Sequence, residues 1–197
     1  MQGEEVLAEI EKYMAFYSES GGGVTFSGGE PLLQPDFLKA LLTKCRQRGI
    51  HTIVETSGFA PYRVIDGVRE KVDIFWYDVK IMDDNKHRKY TGASNHQIVE
   101  NLKKLAKNGS SVVVSVPIIP RINDDDENVT KTAEFIQSLP NIGHVEILPY
   151  HRAGVQKYES LGKPYRLGGT RPPSKQSIKS VREKIEAFGI EVMVGGG

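Results

Sequence analysis

The chain has 197 residues, 39% of them apolar and 26% charged, which suits one globular domain with a sizeable core. A net charge of +1 gives no reason to expect nucleic acid or an anionic membrane as a partner, and no apolar run approaches the roughly 20 residues of a membrane span. The acidic start Met1-Gln2-Gly3-Glu4-Glu5 carries no signal-peptide pattern, so the expected compartment is the cytoplasm, and one cysteine, Cys45, cannot form a disulfide framework or an all-cysteine metal site.

In chain order, Val6, Leu7, Ile10, Met14 and Tyr17 recur at helical spacing and predict an amphipathic helix over 4–18. A short strand at 24–26 leads directly into glycines. Pro35-Asp36 opens a helix with the stripe Phe37, Leu38, Leu41, Leu42 and Cys45, ended by Gly49. β-Branched and aromatic runs predict strands at 50–55, 73–78 and 111–116, with a helix carrying Ile98, Leu102 and Leu105 between the last two. Asp124 to Asp126 open another helix (Val129, Ala133, Ile136, Leu139), a strand follows at 144–148, and a final helix ends at Gly189 before a strand at 190–194. This alternation predicts an α/β fold with parallel strands covered by helices, as a barrel-like or open sheet. Residues 150–173, with Gly154, Gly162, Pro164, Gly168, Gly169, Pro172 and Pro173 and no period, are read as a functional loop.

Parallel α/β domains place their chemistry at the carboxyl ends of the strands. The predicted strands run out into Gly28-Gly29-Glu30-Pro31, Glu55-Thr56-Ser57-Gly58, Asp78 with Lys80, and Pro149-Tyr150-His151. Each group also has a plain reading: paired glycines as a turn, Glu55 as a loop carboxylate, Asp78 and Lys80 as a structural ion pair, His151 as a satisfied loop histidine. Asp124-Asp125-Asp126-Glu127 is read as helix N-terminal carboxylates rather than a metal site. Cys45 is read as a buried small hydrophobe, and Lys86-His87-Arg88-Lys89 as a solvated surface.

Taken together, Gly22 to Pro31, Glu55 to Phe59, Asp78-Val79-Lys80, Tyr90 to Asn95, Pro117 to Asp126 and Leu148 to Gly154 resemble the radical S-adenosylmethionine superfamily. Within it they are similar to the glycyl-radical-enzyme activases of the pyruvate formate-lyase-activating type. The resemblance implies a partial, open parallel β/α barrel missing its first strand, with residues 1–197 as a single truncated core domain. It implies S-adenosylmethionine held by Gly28, Gly29, Glu30, Glu55, Thr56, Asp78, Lys80 and His151. The Gly-Gly-Glu segment would meet the methionine amino end, Glu55-Thr56 and Asp78 a monovalent cation beside the cofactor carboxylate, Lys80 that carboxylate, and His151 the ribose and adenine.

Two positions depart from the pattern. Many activases carry Asp where this chain has Glu55, and Arg is common where it has Ser115. The family's [4Fe–4S] cluster is held by Cys-x3-Cys-x2-Cys, which one cysteine cannot supply; that loop is expected before residue 1. The parent enzyme is then expected to make a 5′-deoxyadenosyl radical and abstract hydrogen from a glycine of a partner glycyl radical enzyme. Flavodoxin or ferredoxin is the expected electron donor, and this chain alone is expected to be inactive. Two other readings stay open: a barrel lyase or aldolase with a Schiff base on Lys80, and a non-catalytic binding module.

Overall fold

The computed structural model describes residues 3–152, 158, 160, 162, 164, 165 and 167–195. Six strands form one sheet: β1 (Gly23–Phe26), β2 (His51–Thr56), β3 (Ile74–Asp78), β4 (Val112–Ile118), β5 (Ile142–Pro149) and β6 (Val192–Val194). Their spatial order is their chain order, every pairing is parallel, and β1 and β6 are the two edges, so the sheet is open. Helices alternate with the strands: α1 (Gly3–Glu11), α2 (Met14–Ser20), α3 (Pro35–Gln47), α4 (Tyr62–Arg69), α5 (Asp84–Thr91), α6 (His96–Lys107), α7 (Asp126–Gln137) and α8 (Lys175–Glu186). The open parallel β/α barrel expected from the motifs is the fold observed.

Consecutive order with crossovers of one hand puts the helices on one side of the sheet. Strand side chains alternate, so each strand gives one row to the helices and one to the other face. Val54, Phe75, Tyr77, Val112, Val114, Val145 and Ile147 make the helix-side row and share one core with Leu42, Ile65, Leu102, Leu105, Ala133, Ile136 and Ile185. Each such side chain contributes roughly 1.5–3 kcal/mol on burial, whereas an exposed pair such as Lys131–Glu127 contributes about 0.3–0.5 kcal/mol. Burial under the helices therefore holds the fold. The opposite row contains Ile53, Glu55, Trp76, Asp78, Val113, Ser115, His144, Glu146 and Met193; among the described residues no helix stripe packs on it, although Val113 and Ser115 within it are buried.

Three sequence expectations change. The helix predicted over 4–18 is two helices, because Lys12 and Tyr13 bond back to Glu9 and Ile10 in tighter turns. The break still lets Ile10, Met14 and Tyr17 meet one patch with Cys45, Ile50, Val24 and Phe26. Helices α4 and α5 were not expected. In α5 the sequence Asp-Asn-Lys-His-Arg-Lys-Tyr-Thr has no apolar stripe, but its ends are marked: the Asp83 side chain accepts from the Lys86 amide, and Gly92 closes the helix at φ +83°. His87 in that helix is buried, correcting its reading as solvated surface; its Nδ1 lies 2.7 Å from the Ala93 carbonyl oxygen and 3.0 Å from the Thr91 hydroxyl. Much of the irregular segment 150–173 lies outside the described residues.

Candidate functional site

The loop after β1 runs through Gly28, held at φ +134°, and Gly29, and ends at Glu30. A side chain at either glycine would meet nothing, so the backbone here faces open space. Glu30 ties this loop to the end of β2. Its Oε1 accepts from the Thr56 hydroxyl at 2.6 Å and the Leu32 amide at 3.2 Å; its Oε2 accepts from the Ser57 amide at 3.0 Å and the Ser57 hydroxyl at 2.5 Å. Thr56 is buried on the helix side of the sheet and its hydroxyl also accepts from the Gly58 amide. Both carboxylate oxygens of Glu30 and the Thr56 hydroxyl are thus engaged inside the protein, while the backbone at Gly28 and Gly29 faces open space. Glu55, one residue earlier, alternates to the uncovered face and is exposed.

The turn beyond β2 is supported from below. The Tyr77 hydroxyl donates to the Ile98 carbonyl at 2.7 Å, and the Asn101 amide donates to the carbonyls of Gly58 and Ala60, both at 2.8 Å. Gly58 sits at φ +69°, and a Cβ there would fall 1.7 Å from the Tyr77 hydroxyl oxygen, so only glycine fits. Burial pushes the Tyr77 phenol far above its ordinary range, so it stays a donor.

At the end of β3, Asp78 and Lys80 form an ion pair at 2.8 Å, with side chains 22% and 36% exposed. The ammonium keeps donors beyond the one given to Asp78. The loop bearing Lys80 is held by buried asparagines. Asn123 donates to the Lys80 carbonyl at 2.8 Å and the Pro117 carbonyl at 2.6 Å, and accepts from the Ile119 amide at 2.7 Å. Asn128 accepts from the Met82 amide, and Asn95 donates to the carbonyls of Ile81 and Met82. The exits of β3 and β4 are therefore one hydrogen-bonded unit. The motif reading passed over Ser57, Asn101, Asn123 and Asn128; the polar residues inside the strand-exit loops were the available signal.

At the end of β5, Tyr150 is buried and receives a hydrogen bond from the Tyr165 hydroxyl at 3.0 Å, while Arg152 donates to the Gly168 carbonyl at 3.3 Å. Burial, with the bond to Tyr150, pushes the Tyr165 phenol up to about 12. His151 is exposed beside them. A cavity of about 870 Å³ opens between the exits of β3 and β4, the end of α5 and Pro164, Tyr165 and Leu167, with Lys80, Arg88, Tyr90 and Ile119 also in its wall.

All the residues read from the motifs thus lie at one end of the sheet. Hydrogen bonds join Glu30 to Thr56, and Asp78 to Lys80; no described hydrogen bond joins those two pairs to each other. Asp125, in the acidic run, caps α7 by accepting from the Asn128 amide at 3.1 Å.

A sequence profile of the Radical SAM superfamily matches residues 2–133. The chain belongs to the radical SAM superfamily. It is 39% identical over 195 residues to the trans-4-hydroxy-L-proline dehydratase activating enzyme of Clostridioides difficile, covering 98% of this chain and 64% of that enzyme. It is 36% identical over 192 residues to the pyruvate formate-lyase 1-activating enzyme of Escherichia coli K12, covering 96% and 78%. The crystal structure of a domain of pyruvate-formate lyase-activating enzyme from Bacteroides vulgatus superposes with a TM-score of 0.76 at 30% identity, over 89% of this chain and 99% of that one. The resemblance to the activating-enzyme type is thereby borne out.

The superfamily's cofactors are S-adenosylmethionine and a [4Fe–4S] cluster. The residues here do not fit the cluster: Cys45 is the single thiol, fully buried on α3, and burial raises its pKa away from the thiolate form. They do fit S-adenosylmethionine by the chemistry of the groups offered. Its carboxylate needs a cation, a charge Lys80 could offer, and its ammonium needs acceptors, which the carbonyls of the open glycine backbone could offer. No described helix is long and apolar enough to cross a membrane.

Proposed function

We propose that this chain is the S-adenosylmethionine-holding core of an enzyme that activates a glycyl radical enzyme in the cytoplasm. When bound, S-adenosylmethionine supplies the 5′-deoxyadenosyl radical that removes a hydrogen atom from a glycine of the partner. The residues of this chain bind and orient. Gly28 and Gly29 offer backbone to the amino end, and Glu30 fixes that backbone through Thr56 and Ser57. Asp78 orients Lys80 toward the cofactor carboxylate, and Glu55 adds negative charge beside it, where a monovalent cation would relieve the repulsion. His151 sits beside the ribose and adenine. The cavity wall from Lys80 to Tyr165 receives the glycine-bearing polypeptide. The cluster and its cysteines belong to a part of the protein outside this sequence, with flavodoxin or ferredoxin as the electron source, and this core alone has no activity.

The observation that carries this reading is the meeting of the glycine loop, Glu55 and the Asp78–Lys80 pair at one sheet end in a chain of this superfamily. An ammonium paired to a carboxylate is a poor Schiff-base nucleophile, which disfavours the lyase alternative. The test is calorimetric binding of S-adenosylmethionine to the full-length enzyme. Lys80→Ala is expected to weaken it at least ten-fold while leaving the fold intact by circular dichroism; unchanged affinity overturns the assignment.

A further inference from the structure

Past β3 the chain is held by side chains rather than by strand pairing. The Val79 amide gives the last described backbone-to-backbone bond, 2.9 Å to the Ser115 carbonyl; none is described for Lys80, Ile81 or Met82. Three buried asparagines from distant places in the sequence take over. Asn95, in the turn before α6, donates to the carbonyls of Ile81 at 3.0 Å and Met82 at 2.7 Å. Asn128, in the first turn of α7, accepts from the Met82 amide and donates to the Asn123 carbonyl, both at 2.9 Å. Asn123, only 1% exposed, grips two strand exits at once. Its amide nitrogen donates to the Lys80 and Pro117 carbonyls, and its oxygen accepts from the Ile119 amide. An apolar side chain would fill that space without the cost of burying an amide. What the amide adds is a backbone fixed at defined points.

Lys80 and Asn123 line the same cavity, with Pro117 and Ile119. The Lys80 head is a point charge on a flexible stem, so its place depends on what fixes the stem. One anchor is the Asp78 carboxylate at 2.8 Å; the other is the backbone that Asn123 holds. We propose that Asn123 is the positioning residue of Lys80: by clamping the Lys80 carbonyl to the exit of β4, it sets the ammonium at the cavity ready for an anionic group. Asn123 acts through Lys80, and its contribution is to order the cation before the anion arrives. The inference rests on Lys80 being the cation for the cofactor carboxylate, and adds the residue that fixes that charge.

The test compares full-length enzyme carrying Asn123→Ala with the parent and with a truncation of the core residue Ile185 chosen to match its urea midpoint. Lysines are acetylated with limiting acetic anhydride and read by mass spectrometry, Lys80 being normalised to the exposed Lys107. Lys80 labelling is expected to rise about five-fold in Asn123→Ala and to stay at the parent's rate in the core variant. An equal rise in both, or none in Asn123→Ala, overturns the proposal. Asn123→Asp keeps the acceptor for Ile119 and removes the amide donors. It is expected to raise Lys80 labelling as Ala does while amide exchange at Ile119 stays slow; parent-like labelling overturns the clamp. Asn128→Ala, one bond further from Lys80, is expected to give about a three-fold rise, and no rise there counts equally against the clamp. Calorimetry with S-adenosylmethionine completes the cycle. Asn123→Ala is expected to weaken binding about ten-fold in the parent and not at all in a Lys80→Ala background, whereas additive losses overturn action through Lys80. Unchanged affinity in Lys80→Ala alone overturns the cofactor assignment of Lys80, and the labelling ratios still decide the clamp.

Discussion

Glu30 is a carboxylate whose job is internal. Its two oxygens accept four hydrogen bonds from Leu32, Thr56 and Ser57, so the residue acts on a ligand through the glycine backbone it steadies. Glu30→Ala strands the Thr56 and Ser57 donors in a half-buried setting and is expected to cost roughly 2–4 kcal/mol, read from the shift in urea midpoint. Glu30→Gln keeps the shape but turns an amide donor toward donors, and is expected to cost about half as much. Gly58 makes a second residue-scale case. Gly58→Ala combines a positive φ with a Cβ overlapping the Tyr77 hydroxyl, and a loss of more than about 2 kcal/mol is expected. In a Tyr77→Ala background the loss from Gly58→Ala is expected to shrink, because the side-chain atoms 1.7, 2.1 and 2.6 Å from that Cβ are gone. Additive losses in that double-mutant cycle would rule out the steric cause.

Helix α5 shows an element built by its ends. Asp84 accepts from the Ser94 hydroxyl at 2.6 Å, the Asn95 amide at 2.9 Å and Arg88 at 2.8 Å, tying the start of α5 to the turn before α6. The Ser94 hydroxyl, then Arg88, holds its carboxyl well below the usual carboxylate range. A folded pKa below the unfolded one stabilises the fold above the unfolded value, near pH 4, and that stabilisation fades as pH falls toward the folded value. Asp84→Asn is therefore expected to be less stable than the parent at pH 7, with the gap narrowing progressively from about pH 5 to pH 2. A gap independent of pH in denaturation curves would remove ionisation as the cause. The Asn123–Asn128 unit works alike: Asn123→Ala is expected to speed amide exchange at Ile119.

At the scale of the molecule, an open sheet leaves two edges. β1 pairs only with β2; α2 covers its side chains through Met14 and Tyr17, but no described hydrogen bond reaches its outer backbone edge. Unpaired edges invite association. The chain is expected to self-associate with rising concentration in light scattering, and Thr25→Lys on β1 to reduce it. Clean monomer at all concentrations would show the edge to be protected.

The strands, their parallel pairing and the residues at their exits were legible in the sequence, because apolar β-branched runs alternating with helical stripes admit few packings. Gly28 to Glu30, Glu55, Asp78, Lys80 and His151 could be named for the same reason: a parallel sheet has one end at which its chain exits gather. What each side chain does there was decided by tertiary structure. Alternation puts Glu55 on the uncovered face and Thr56 under the helices, where Thr56 and Ser57 satisfy Glu30 across 26 and 27 residues of chain. The row that sets Asp78, Ser115 and Glu146 side by side depends on the register of three strands, which no local pattern encodes. Periodicity reports which residues are buried; only long-range pairing decides which polar groups meet.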